Sequence, residues 1–97
     1  MGLSTPPTLA FAIRGPLGRE DLPGLYSRLC VLFTSKRPAV ALIDVRGVDA
    51  DAVTVDALAR LQLAARRHGC QVRLRRASPE LLELVAFMGL RDVLPDR

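Results

Sequence analysis

Three stretches of this chain read as strands and three as helices, and the two kinds alternate. In residues 8–13, Leu9, Phe11 and Ile13 fall on one side and Ala10 and Ala12 on the other. That alternation predicts a strand with one small-residue face. Gly15-Pro16 ends it. Asp21 then offers an N-cap, Pro23 sits in a first turn, and Leu22, Leu25, Leu29, Leu32 and Phe33 recur at helical spacing. The first amphipathic helix follows from these positions. Lys36-Arg37-Pro38 closes it, because the basic residues suit a C-terminal dipole and proline cannot continue a helix.

Residues 39–45 are apolar except for Asp44, the pattern of a central strand with neighbours on both edges. Residues 48–54 read as a loop, with Thr54 as the expected N-cap of a second helix and Asp56 in its first turn. Val55, Leu58, Leu61, Gln62 and Ala65 share one face of that helix, Arg60, Arg66 and Arg67 lie elsewhere, and Gly69 is the expected residue after its end. Cys70, Val72 and Leu74 alternate with Gln71, Arg73 and Arg75, so the third strand has one buried face and one open, charged face. Ser78 as N-cap and Pro79 in the first turn open a third helix through Leu81, Leu84, Val85 and Met88 to Gly89. A short turn over residues 90–94 is expected to pack back on the sheet. Alternating units of this kind predict an α/β fold with a mostly parallel sheet and right-handed crossovers. Helices should cover mainly one face.

Composition narrows the class. At 97 residues, 49% apolar and 25% charged, the chain supports one domain over residues 1–97, with residues 1–7 expected to be flexible. No apolar run approaches the roughly 20 residues that span a bilayer. The start, Met1-Gly2-Leu3-Ser4-Thr5, lacks the pattern of a secretory signal, and its partial likeness to a myristoylation site fails at the hydroxyl position. Cys30 and Cys70 read as small buried apolar residues in a reduced, cytoplasmic protein. Net charge is +4, with a denser cluster at Arg60, Arg66, Arg67, His68, Arg73, Arg75 and Arg76. With aromatics at 4%, no tryptophan and no recognition motif, this reads as a solvated surface rather than a nucleic-acid site.

Catalytic chemistry finds no footing. The one histidine, His68, closes a helix among arginines, and no nucleophile–base pair, P-loop or dinucleotide fingerprint is present. Asp44, Asp49, Asp51 and Asp56 form the one acidic cluster. A divalent metal could use such carboxylates, but turn and cap chemistry accounts for them more simply, so no metal and no cofactor is expected.

In order along the chain, these segments resemble the STAS domain, the family of sulfate transporters and anti-sigma factor antagonists. Asp44-Val45-Arg46-Gly47-Val48 matches the family's strand end and Gly-Val turn, and Asp51 takes its loop aspartate. Leu58-Ala59-Arg60-Leu61 and Gly69 match its helix, and 87–94, Phe-Met-Gly-Leu-Arg-Asp-Val-Leu, matches its last step. The resemblance covers nearly the whole chain, with the N-terminal hairpin shortened. It implies a sheet of about four strands, mostly parallel but mixed, with helices mainly on one face. One departure stands out. Counting back from Gly69 places Ala52 and Val53 where the family has two hydroxyl residues, and Thr54 where it has glycine. In anti-sigma factor antagonists the first hydroxyl is phosphorylated by the anti-sigma kinase, and the phosphate disrupts docking. Ala52 cannot carry it, and Thr54 is the nearest substitute.

The resemblance implies a non-catalytic interaction module. The expected partner is a serine-kinase-type anti-sigma factor, bound through Asp49, Asp51, Ala52, Val53, Thr54, Asp56 and Arg60, without nucleic acid or membrane insertion. A homodimer is a further possibility. The alternative is an accessory subunit bracing the ATPase of an ABC-type lipid transporter. Anion binding at the helix start is disfavoured by the three aspartates there. Arg60, Arg66, Arg67 and Arg73 could form a basic rim that steers an acidic partner.

Overall fold

The computed structural model describes residues 8–14 and 19–95. The segment expected to be flexible, residues 1–7, lies outside the described residues. Strand β1 (Thr8–Ala12) leads through a 3-10 turn, Arg19–Asp21, into helix α1 (Leu22–Lys36). Strand β2 (Val40–Asp44), helix α2 (Ala52–Arg67), strand β3 (Gln71–Arg75) and helix α3 (Pro79–Phe87) follow. The α/β alternation and one-sided packing are as the sequence predicts.

The sheet departs from expectation in one respect. The described residues form three strands, in the order β1-β2-β3 and all parallel, rather than about four in a mixed sheet. One reason lies at the outer edge of β3, where backbone groups are already occupied. Gln71 N–H donates to Ala39 C=O and Val45 N–H to Arg75 C=O at 3.0 Å each, so the odd residues of β3 face β2. Val72 and Leu74 turn their backbone outward. There the buried Gln62 of α2 takes the place of a strand: Val72 N–H donates to its Oε1 at 2.8 Å, and its Nε2 donates to Val72 C=O at 2.9 Å. The same Nε2 donates to Val93 C=O at 2.6 Å, and Leu74 N–H donates to Pro95 C=O at 3.0 Å. These bonds occupy Val72 N–H and C=O and Leu74 N–H, most of the outward backbone groups that an added strand would need.

The core lies between the sheet and the helices. Ala41, Ile43 and Val45 from the central strand meet Val72 and Leu74, Leu25, Leu29 and Phe33 of α1, Val55, Leu58 and Leu61 of α2, and Leu81 and Val85 of α3. The other face of the sheet is open, with Ala10, Ala12, Arg73 and Arg75 exposed. Cys70 is buried, which raises its thiol above the ordinary value by desolvation.

Helix ends follow local chemistry. After α2 and α3, Gly69 and Gly89 take positive φ (72° and 74°). Cys70 N–H reaches Ala65 C=O and Leu90 N–H reaches Val85 C=O, both at 2.9 Å. These are Schellman closures, which need the left-handed backbone that glycine adopts freely. Helix α1 ends on Arg37, itself left-handed at φ 46°, directly before Pro38.

Candidate functional site

The start of α2 differs from the sequence reading by three residues. Asp51, not Thr54, is the N-cap: its Oδ1 accepts the Thr54 N–H at 2.8 Å. The loop therefore stops at Asp51, and Ala52, Val53 and Thr54 form the first helical turn. Thr54 precedes Leu58 by four residues, so extending the helix backward turns Thr54 inward. It is 0% exposed, and among the described residues its Oγ1 has no hydrogen-bond partner. Asp56 falls beyond the first turn, and its Oδ2 accepts from Arg60 Nε at 2.8 Å in an exposed pair one helical turn apart. Such a pair is worth only about 0.3–0.5 kcal/mol.

A buried hydroxyl without a partner costs about 1–3 kcal/mol relative to an apolar isostere. Thr54→Val keeps the shape and removes that penalty. It is expected to raise stability by about 1 kcal/mol, read as a higher urea midpoint with an unchanged m-value.

The expected site residues thus divide. Asp49, Asp51, Ala52, Asp56 and Arg60 are exposed together at the helix start and along its outer stripe, Val53 is half-buried, and Thr54 is sealed in the core. The stripe continues to Leu63, 57% exposed. Tyr26 of α1 braces the same region, its hydroxyl donating to Ala57 C=O at 3.2 Å. Desolvation raises the phenol above its ordinary value, with Arg60 lowering it and Asp56 raising it by smaller amounts. The proposed basic rim does not form one surface. Arg60 lies on the outer stripe of α2, Arg66 and Arg67 at its C-terminal end, and Arg73 on the open face of the sheet. Among the described residues no three His, Cys, Asp or Glu side chains converge as metal ligands.

The sequence reading missed a neighbouring surface. Phe87 of α3 is 87% exposed. With Ala50, Glu80, Glu83 and Leu84 it lines a shallow groove beside the loop. Glu80, Glu83, Leu84 and Phe87 share one helix face by their spacing. The signal was available: Phe87 lies off the buried stripe of Leu81 and Val85.

The sequence matches the family described as "Mlab, STAS domain" over residues 4–95. The chain belongs to this STAS family. A search of curated proteins returns no match. Among solved structures, the STAS domain of a SulP transporter from Vibrio cholerae superposes with a TM-score of 0.73 at 14% identity, covering 90% of this chain and 67% of that one. The anti-sigma factor antagonist SpoIIAA, in its unphosphorylated form, superposes with a TM-score of 0.66 at 16% identity, covering 99% of this chain and 84% of that one. At these identities the likeness establishes the STAS fold. Among the described residues no helix is long and apolar enough to cross a membrane.

Proposed function

We propose that this STAS protein is a non-catalytic docking module that holds one protein partner without a phosphorylation switch. The partner surface comprises Asp49, Asp51, Ala52, Val53, Asp56 and Arg60, extended by Phe87 and the acidic residues of α3. One observation carries the reading: the exposed first position of α2 is Ala52, and the first turn's one hydroxyl, on Thr54, is buried. A kinase has nothing accessible to modify there, so docking has no phosphate-driven release.

The charges indicate what kind of segment docks. Although the chain carries net +4, the groove and its flanks present Asp49, Asp51, Glu80 and Glu83 around Leu84 and Phe87. An apolar residue flanked by Lys or Arg on the partner complements both features.

Unswitched docking favours the accessory-subunit role, in which the STAS protein braces the ATPase of a membrane transport system. The match to the Mlab family and the likeness to a transporter's STAS domain support that choice. The likeness to SpoIIAA supports the second reading, an antagonist that binds a serine-kinase-type anti-sigma factor, here in a permanently active form. Both roles place the protein in the cytoplasm.

Intact-mass and peptide mass spectrometry of the chain isolated from its host tests the absence of a switch. The expected result is no phosphate on the peptide bearing Ala52 and Thr54 in any growth phase. Stoichiometric phosphate on Thr54 would overturn constitutive docking.

A further inference from the structure

A dense group of positive charges collects at the pole opposite the partner surface. Because the sheet is all parallel, α1 and α2 end at the pole where the next strand begins. Lys36 and Arg37 close α1 there, and Arg66, Arg67 and His68 close α2. All of them are exposed. The acidic residues at the start of α1, around the start of α2 and in the first turns of α3 stand towards the other pole. Asp92, in the turn after α3, is separated from α1 by α2, which packs against both helices. Residues 1–7 and 15–18 contain no acidic side chain.

Between the two helix ends lies a cleft of about 270 Å³, lined by Phe33, Thr34, Arg37, Arg67 and His68. The ion pairs among the described residues are Arg60–Asp56 and Arg76–Asp44, so neither Arg37 nor Arg67 has a carboxylate partner there. The Thr34 hydroxyl donates to Cys30 C=O at 2.9 Å, which leaves two guanidiniums and the His68 imidazole to meet a ligand. Phe33 is buried, and its ring centre lies 6.1 Å from that of His68, a contact that steadies the imidazole.

Arg37 stands out by its backbone. Each helix is followed by a left-handed residue, and after α2 and α3 that residue is glycine. After α1 it is Arg37, at φ 46°. Left-handed backbone strains a residue that carries a Cβ, and the proline that follows disfavours it further. Capping alone would be served better by glycine, so the guanidinium is what this position retains. Basic residues at a helix end ordinarily complement its dipole. That effect requires neither an arginine in the strained cap nor convergence of two helix ends on one cleft. The carbonyl groups that would repel an anion are also covered. Arg37 N–H donates to Phe33 C=O at 3.1 Å, and His68 and Cys70 N–H both donate to Ala65 C=O at 2.9 Å.

We propose that this cleft binds a phosphate group, carried by a soluble phosphate ester or by a lipid headgroup. Two guanidiniums on separate elements present forks of N–H donors, and His68 adds a donor from a third direction. A tetrahedral phosphate has oxygens for all of them, whereas a planar carboxylate has two. Phe33 is buried, so the cleft offers no exposed apolar anchor of the kind that fixes a protein partner. The site is remote from the docking surface at the start of α2, and neither reading depends on the other.

Titration with inorganic phosphate at constant ionic strength, followed by amide NMR spectroscopy, tests this. The expected result is saturable shifts confined to Arg37, Arg67, His68 and their neighbours, with a Kd on the order of 1 mM because water and salt screen an exposed site. Arg37→Gly removes the guanidinium and keeps a residue suited to the left-handed cap. It is expected to weaken binding about tenfold while leaving the circular dichroism spectrum native. Arg67→Gln, at an exposed helix end, should weaken it similarly. Cosedimentation with phosphatidylglycerol vesicles, against phosphatidylcholine vesicles, separates the two sources. Vesicle binding that both variants lose, with or without shifts from free phosphate, supports a headgroup. Shifts from free phosphate alone, lost in both variants, support a soluble ester. No saturable shift and no vesicle binding, or binding that either variant retains, would overturn the proposal.

Discussion

Replacing Gln62 with leucine is expected to destabilise the protein by about 3 kcal/mol. Leucine fills the volume, but Val72 N–H, Val72 C=O and Val93 C=O all lose their partner in the interior. Each orphaned buried group costs about 1–3 kcal/mol. For a domain of this size the melting temperature should fall by roughly 15 °C. Thermal and urea unfolding followed by circular dichroism measure it. The contrast with Thr54→Val is instructive, since both substitutions exchange a buried polar side chain for an apolar one of similar volume. One removes a group whose hydrogen bonds hold an edge, the other a hydroxyl that has none, so the two effects have opposite signs. A Gln62→Leu variant within about 0.5 kcal/mol of the parent would mean that the amide does not close the β3 edge.

The second large effect concerns binding. Ala52→Arg is expected to weaken partner binding at least about 100-fold, or close to 3 kcal/mol. Ala52 is exposed at the first position of α2 between the acidic loop and the outer stripe. A guanidinium there replaces a methyl-sized contact with a long side chain. It also sets a cation against the basic segment that the acidic groove selects. Stability should change little, because a cation near a helix N-terminus costs only about 0.3–1 kcal/mol. The loss of binding would therefore be separable from loss of fold.

Much of the architecture was legible in the chain because its signals are local. Alternation in Cys70–Leu74, the glycines at 69 and 89, and Ser78-Pro79 each fix an element end by steric or capping chemistry within a few residues. The inward face of α2 was read correctly, with Val55, Leu58, Leu61, Gln62 and Ala65 all buried. The cap was misplaced because Asp51 and Thr54 are both good caps and stand three residues apart. Periodicity could have separated them, since Thr54 continues the inward stripe. The pairing of Gln62 with residues 72 and 93 was not legible. It depends on where two distant segments meet, and so does the strand count that follows from it. Phe87 escaped notice because it entered only as the first residue of the 87–94 family match, although its place off the Leu81 and Val85 stripe marks it as outward-facing.

The central claim is that the exposed start of α2 holds a partner constitutively. A quantitative pull-down from the native host, with tagged wild-type and Ala52→Arg chains compared by mass spectrometry, tests it most directly. The account predicts an ATPase subunit of a membrane transport system, stoichiometric with the wild-type chain and depleted with the variant. Equal recovery of the same partner by both chains would contradict the placement of the site. Recovery of a serine-kinase-type anti-sigma factor, lost in the variant, would retain the site and contradict the transport role.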